Sequence, residues 1–212
     1  MCIRDRVVYI AGTGSVAYGV CRGRAVRVGG WGHLLGDEGS AYQVGRDALV
    51  AVLRAWDGRG HVDGELMDEV KRFFNVSTPE DLVLKVYSSA NPKLLIASFA
   101  PRVVELARRG VVSARRIVGA AAREAALAIV AALRRLGCRG IEVGVVGGFY
   151  EGARDILDPL ILKELRSAGY SGVLRRPVVR SECAALLIAV DRRVGRARAE
   201  ELSELLLRVC RA

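Results

Sequence analysis

The most informative stretch of this sequence is Val28-Gly29-Gly30-Trp31-Gly32-His33-Leu34-Leu35-Gly36-Asp37-Glu38-Gly39-Ser40-Ala41-Tyr42. It holds five glycines, two adjacent carboxylates, a tryptophan and a histidine. Glycine loses more conformational freedom on folding than other residues, so this density indicates sharp turns or a close approach to something. A carboxylate beside an indole suits a polyhydroxylated ligand, because the carboxylate accepts hydroxyl hydrogen bonds and the ring covers an apolar face. The alternative is a structural turn with a solvated acidic pair.

The composition around this stretch indicates a globular protein. The chain has 212 residues, of which 51% are hydrophobic, and this excludes the disordered and fibrous classes. Its apolar runs, such as Ala125–Leu133, are too short to span a bilayer. The first residues lack the pattern of a signal peptide. We therefore expect a soluble cytoplasmic protein that contacts no membrane.

The cysteines and the charges argue against two further classes. The chain has five cysteines with no C-x-x-C pair and only two histidines, so a metal site is not expected. We expect the cysteines to be separate small residues in a reducing compartment. The formal net charge is +10, but the arginines are spread as pairs along helical segments. This pattern favours solvated helix faces over a nucleic-acid interface.

Hydrophobic patterning predicts an α/β protein with helices between its strands. The predicted strands are Val7–Ala11, a hairpin over Val16–Val28, Ile141–Val146 and a short strand near Val173–Leu174. The predicted helices are Ser40–Asp57, Gly64–Phe74, Pro79–Ser89, Lys93–Arg109, Ser113–Leu136, Ala153–Ala168, Ser181–Val190 and Ala199–Cys210. The helices between about residues 40 and 110 form a helical insertion.

Two predicted strands end in glycine-rich turns. Gly12-Thr13-Gly14-Ser15 follows the first strand, and its exposed N–H groups and hydroxyls could bind an anion such as phosphate. The turn is not a P-loop and lacks the full dinucleotide-binding spacing. Gly147-Gly148 follows the later strand, where missing side chains would let a flat group such as a purine lie against the backbone. A close crossing of strand and helix would explain the second glycine pair equally well.

The order of these motifs resembles the N-acetylglucosamine kinase and BadF/BadG/BcrA/BcrD ATPase family of the sugar kinase, Hsp70 and actin superfamily. Ala11–Ser15 is similar to the second phosphate motif of that family, Gly29–Tyr42 to its sugar-side signature, and Gly147-Gly148 to its adenosine motif. The resemblance implies an α/β fold, namely the C-terminal lobe of an actin-like ATPase (ribonuclease H-like), with a mixed sheet flanked by helices. This lobe would occupy residues 1–212.

The resemblance also implies a reaction and a set of site residues. The reaction is transfer of the ATP γ-phosphoryl group, with Mg²⁺, to N-acetylglucosamine or a related hexose. The expected sugar-binding residues are Gly30, Trp31, Gly32 and Asp37. The expected nucleotide-binding residues are Gly12, Thr13, Gly14, Ser98, Gly148 and Gly152.

The sequence departs from the family at its start. The family begins with an Asp-Gly-Gly-Gly-Thr-like phosphate motif, and its general base lies in the same region, whereas eleven residues precede Gly12 here. We therefore expect an N-terminally truncated chain without a catalytic base of its own. Two alternatives stay open: an ATPase that activates a dehydratase or reductase, and a non-catalytic sugar- or nucleotide-binding module. A homodimer is compatible with the apolar helices.

Overall fold

A mixed five-stranded sheet organises the protein, whose computed structural model describes residues 6–138 and 141–175. The strand order is β3-β2-β1-β4-β5. The first three strands form the antiparallel meander that the hairpin pattern predicts, while β4 lies parallel to β1 and β5 lies parallel to β4. The strands are β1 (Arg6–Ala11), β2 (Ser15–Cys21), β3 (Arg24–Gly29), β4 (Glu142–Val146) and β5 (Leu174–Arg175).

Seven helices are present in the described residues, and five of them lie between β3 and the long helix α6. This arrangement agrees with the helical insertion expected at about residues 40–110. The predicted helices over Ser181–Val190 and Ala199–Cys210 lie outside the described residues. The helices are α1 (Ala41–Trp56), α2 (Gly64–Phe74), α3 (Pro79–Tyr87), α4 (Pro92–Ala97), α5 (Ala100–Arg108), α6 (Val112–Leu136) and α7 (Gly148–Ser167).

Helix α6 packs across β1, β2 and β3 and forms the centre of the core. Its buried face is rich in alanine, which lets the helix lie close to the strands. At Gly19 of β2 a Cβ atom would come within 2.7 Å of the Leu136 side chain, so the helix leaves little room for a larger residue at this position. Within the described residues, no helix combines the length and the apolar character that crossing a membrane requires.

One predicted helix is wrong: the segment Lys93–Arg109 forms two helices, α4 and α5, separated at Ser98-Phe99. The cause is Pro101, which has no N–H to donate to the carbonyl of Ala97 and whose ring would clash with that carbonyl in a continuous helix. The start predicted for the last described helix is also wrong, since α7 begins at Gly148 instead of Ala153. Gly147 and Gly148 at this helix end and Gly152 in the next turn are poor helix formers, so helix propensity does not indicate the start.

The expectation of separate cysteines is wrong as well. Cys21 at the end of β2 and Cys138, just after α6, form a disulfide with a Cα–Cα distance of 6.7 Å. The sheet and the helix that packs on it end at the same side of the molecule, and this places the two residues together although 117 positions separate them. Spacing along the sequence carries no sign of this pairing.

Candidate functional site

The Gly12–Gly14 turn joins β1 to β2 and rests against the first turn of α1. The N–H of Gly12 donates to the carbonyl of Gly14 at 2.9 Å. The carbonyls of Gly12 and Thr13 accept hydrogen bonds from the N–H groups of Ala41 at 3.0 Å and Tyr42 at 3.3 Å. Among the described residues the N–H groups of Thr13 and Gly14 have no hydrogen-bond acceptor. These two donors are therefore available to an anion.

The second glycine turn, Gly147-Gly148, lies beside the first, because β4 runs parallel to β1 and the two strands end at one edge of the sheet. Gly147 has a φ of 117°, and a Cβ atom there would come within 3.0 Å of the backbone nitrogen of Ala11. The close crossing of backbones thus explains Gly147. At Gly148 a Cβ atom would meet nothing within 4 Å, so this residue leaves open space at the start of α7.

The segment Gly29–Gly39, called the glycine loop below, connects β3 to α1. Its φ values are positive at Gly29, Gly30, Gly32, Asp37 and Gly39, which explains the glycine density. The end of the loop is anchored to the sheet, because the carbonyl of Glu38 accepts hydrogen bonds from the hydroxyls of Tyr9 at 2.8 Å and Ser15 at 2.5 Å. Burial raises the pKa of Tyr9 far above its ordinary value, so this hydroxyl stays a donor.

Asp37 is the most constrained residue of the glycine loop. Its side chain is only 6% exposed, its φ is 63°, and its carboxylate accepts the N–H of Ser15 at 3.2 Å. The other carboxylate oxygen pairs with the ammonium of Lys93 on α4 at 2.9 Å. The carboxylate also lies against Gly14, where a Cβ atom would be 2.7 Å from both of its oxygens. Asp37 thus joins the glycine loop, the Gly12–Gly14 turn and the helical insertion.

The outer part of the glycine loop is exposed. Trp31 is 63% exposed, and the guanidinium of Arg27 lies 4.2 Å from the centroid of its ring. Leu34 and Leu35 are more than 80% exposed. At Gly30 a Cβ atom would come within 2.9 Å of Val16, whereas Gly32 faces open space. The tryptophan and the buried carboxylate therefore belong to one loop but lie in very different environments.

Ser98 and Gly152 are less clearly connected to these turns. The hydroxyl of Ser98 donates to the carbonyl of Leu95 at 2.7 Å at the end of α4. The carbonyl of Gly152, on α7 one turn after Gly148, accepts a hydrogen bond from Arg108 at 2.6 Å. No hydrogen bond of the described residues links either one to the glycine turns. The structure thus brings together Gly12, Thr13, Gly14, Asp37 and Gly148, and it leaves Ser98 and Gly152 as expectations.

Lys93 is the residue of this region that the sequence analysis missed. It follows Asn91-Pro92, a capping pair at the start of α4, and no feature of the sequence marks it as a partner of Asp37. A buried carboxylate requires a charged or hydrogen-bonding partner, but 56 positions separate these two residues. The described residues contain no group of three or more side chains that could together ligate a metal ion.

Comparisons with known proteins identify the family. The model of the BadF/BadG/BcrA/BcrD ATPase family matches residues 4–190. An N-acetylmuramic acid/N-acetylglucosamine kinase from Clostridium acetobutylicum is 37% identical over 144 residues, covering 66% of this chain and 46% of that relative. An N-acetyl-D-glucosamine kinase from Dictyostelium discoideum is 38% identical over 106 residues, covering 49% of this chain and 33% of that relative. The matches thus span less than half the length of these two curated relatives.

Two solved structures share the fold. A candidate N-acetylglucosamine kinase from Chromobacterium violaceum has a TM-score of 0.63 at 26% identity, covering 82% of this chain and 55% of that one. Another from Porphyromonas gingivalis has a TM-score of 0.68 at 19% identity, covering 90% and 61%. These neighbours confirm the expected actin-like α/β fold, with its mixed sheet and flanking helices. The chain belongs to the BadF/BadG/BcrA/BcrD ATPase family.

Proposed function

We propose that this chain is the sugar- and nucleotide-binding part of an ATP-dependent sugar kinase. The observation that carries the proposal is the contact between the Asp37 carboxylate and Gly14, because it joins the glycine loop directly to the Gly12–Gly14 turn. A kinase needs this arrangement, since the sugar hydroxyl must meet the terminal phosphoryl group of ATP. The named activities of the curated relatives support the same reaction class.

On the nucleotide side, Gly12, Thr13 and Gly14 would hold the phosphates through the N–H groups of Thr13 and Gly14. Gly148 would admit the nucleoside, since its open space fits a flat group. We keep Ser98 and Gly152 as secondary nucleotide contacts. ATP would supply the phosphoryl group. Mg²⁺ would arrive bound to the phosphates of ATP and to water, which is the usual way in which proteins take up this ion.

On the sugar side we propose Gly30, Trp31, Gly32 and Asp37. The indole of Trp31 would cover an apolar sugar face, and the carboxylate of Asp37 would accept hydroxyl hydrogen bonds. We assign Asp37 a binding role, because each of its two oxygens accepts one hydrogen bond, from Lys93 or Ser15, and can still accept a second one from a sugar hydroxyl. We name no catalytic base among the residues of this chain. The substrate class is N-acetylglucosamine or a related hexose.

Calorimetry on the purified chain tests the proposal. We expect binding of N-acetylglucosamine and of ADP, and the titrations should include N-acetylmuramic acid and glucose to define the preferred sugar. The D37A variant should lose at least about tenfold in sugar affinity, the size expected for a charged hydrogen bond. Sugar binding that is unchanged in D37A would contradict the assigned pocket. Absence of both sugar and nucleotide binding would contradict the function.

The alternative of an ATPase that activates a dehydratase or reductase is not favoured. The resemblance implies that such an ATPase holds an iron–sulfur cluster on cysteines, for which Cys21 and Cys138 are the nearest candidates in this chain. These two residues are joined in a disulfide, and cluster ligation requires free thiolates. An iron–sulfur absorption band in protein purified without oxygen would reverse this judgement. Cytoplasmic location, a homodimer and the lack of nucleic-acid binding remain parts of the proposal.

A further inference from the structure

The ion pair between Lys93 and Asp37 has two unequal sides. The side chain of Asp37 is 6% exposed, whereas that of Lys93 is 31% exposed. The carboxylate lies against Gly14 and the Ser15 N–H, so the more accessible side chain of the pair is that of Lys93. A ligand that approaches this ion pair from solvent therefore meets the lysine side chain more readily than the carboxylate behind it.

The position of Lys93 is fixed from three directions. Asn91 caps α4 by accepting the N–H of Leu94 at 3.0 Å, and Pro92 occupies the first turn of this helix. Helix α4 packs against α1 so closely that Gly45 has no room for a Cβ atom beside Ile96. The ammonium is finally held at 2.9 Å by Asp37. These constraints reduce the entropy that a long lysine side chain would lose on binding a ligand.

The ammonium is linked to the Gly12–Gly14 turn through the carboxylate of Asp37. Asp37 bonds Lys93 through one oxygen and touches Gly14 with both. The N–H groups of Thr13 and Gly14 are without acceptors in the part of the chain that the structure describes. A cation held by the carboxylate that lies against this turn adds positive charge near the two N–H groups, and this favours a phosphate over a neutral ligand.

From this arrangement we propose that Lys93 binds the phosphate chain of the nucleotide together with the Gly12–Gly14 turn, and that Asp37 holds its ammonium in place. The inference rests on the proposed function and deepens it, since it adds to the nucleotide site a residue from the helical insertion. It also gives Asp37 a second role, because the carboxylate that faces the sugar would orient the cation that meets the phosphates.

Calorimetry with adenosine and ADP as probes tests the inference, because only ADP carries phosphates. We expect K93M to weaken ADP binding at least about tenfold and to leave adenosine binding unchanged. The conservative variant K93R should recover much of the lost ADP affinity. The matched control is K85M, which removes an exposed lysine from the neighbouring helix α3 and should alter neither affinity.

The comparison of the two probes separates the possible failures. Equal loss of adenosine and ADP affinity in K93M would mean damage to the fold and would overturn the assignment, as would unchanged ADP binding. Weakened binding of N-acetylglucosamine without loss of ADP affinity would mean that Lys93 serves only the sugar side. If the unmodified chain binds neither adenosine nor ADP, the proposed function fails, and the inference fails with it.

Discussion

At the scale of single residues, glycine occupies the positions of this site for different physical reasons. Gly14 is favoured because the carboxylate of Asp37 lies where a larger side chain would be, and Gly147 is required by its φ and by the backbone of Ala11. Gly148 has no structural neighbour at the corresponding position. A glycine without a packing reason is a candidate for contact with a ligand, and this distinction can be measured.

We expect G147A and G14A to lower the free energy of unfolding, because a Cβ atom would overlap the backbone of Ala11 at the first position and the side chain of Asp37 at the second. The loss should be at least about 2 kcal/mol for G147A, where backbone strain adds to the overlap. For G14A, where the Asp37 side chain can move, about 1–3 kcal/mol is expected. Urea denaturation measures both values.

The matched variant for this pair is G148A. It should unfold at nearly the same urea concentration as the unmodified chain, but it should bind ADP more weakly if the nucleoside lies against this backbone. A large loss of stability in G148A would contradict the open space found at this residue. Unchanged ADP binding would argue against its assignment to the nucleotide site.

At the scale of elements, two charged contacts tie the helical insertion to α6 and α7. Asp63, just before α2, accepts the N–H of Ser113 in the first turn of α6 at 2.7 Å. Arg108 at the end of α5 bonds both carboxylate oxygens of Asp155 on α7, at 2.7 and 3.0 Å. The second contact is largely exposed and contributes little to stability. The first satisfies a donor of a helix end, so it should contribute more.

The Asp63 contact predicts a specific pH dependence of stability. The hydroxyl and N–H of Ser113 lower the pKa of Asp63, so the folded state favours its ionised form. Its stabilisation is therefore present above the unfolded pKa of about 3.9 and is lost as the pH falls through the lower folded value. We expect D63N to cost about 1 kcal/mol at pH 7, because the amide still accepts the hydrogen bond but lacks the charge that strengthens it, and almost nothing near pH 2, measured by urea denaturation. An equal cost at both pH values would contradict this account.

At the scale of the whole molecule, the parts that the sequence predicted are those that depend on local patterns. The hairpin, the strand before Gly147 and helix α2 follow from periodicity and turn residues. The split at Pro101 was also readable, since proline cannot continue a helix, but the apolar pattern across it favoured one long helix. The Asp37–Lys93 pair and the Cys21–Cys138 disulfide join distant positions, and a single sequence carries no information on such contacts.

The disulfide leads to the prediction that concerns the whole fold. Cys21 and Cys138 close a loop with a sequence separation of 117, which contains β3 and helices α1–α6. A cross-link over a loop of this length restricts the unfolded chain strongly and should stabilise the fold by about 4 kcal/mol. We expect the unmodified chain, purified without reductant, to lose roughly this amount of unfolding free energy when dithiothreitol is added.

The double variant C21A/C138A is the control for this measurement. It should be less stable than the oxidised chain, and dithiothreitol should not change its stability, because the bond that the reductant breaks is absent. Mass spectrometry of the alkylated protein reports whether the two thiols are joined before reduction. If the unmodified chain, purified without reductant, has free thiols at both positions, the disulfide does not form. The cysteines would then be separate small residues, and the stability of the unmodified chain should not respond to reductant.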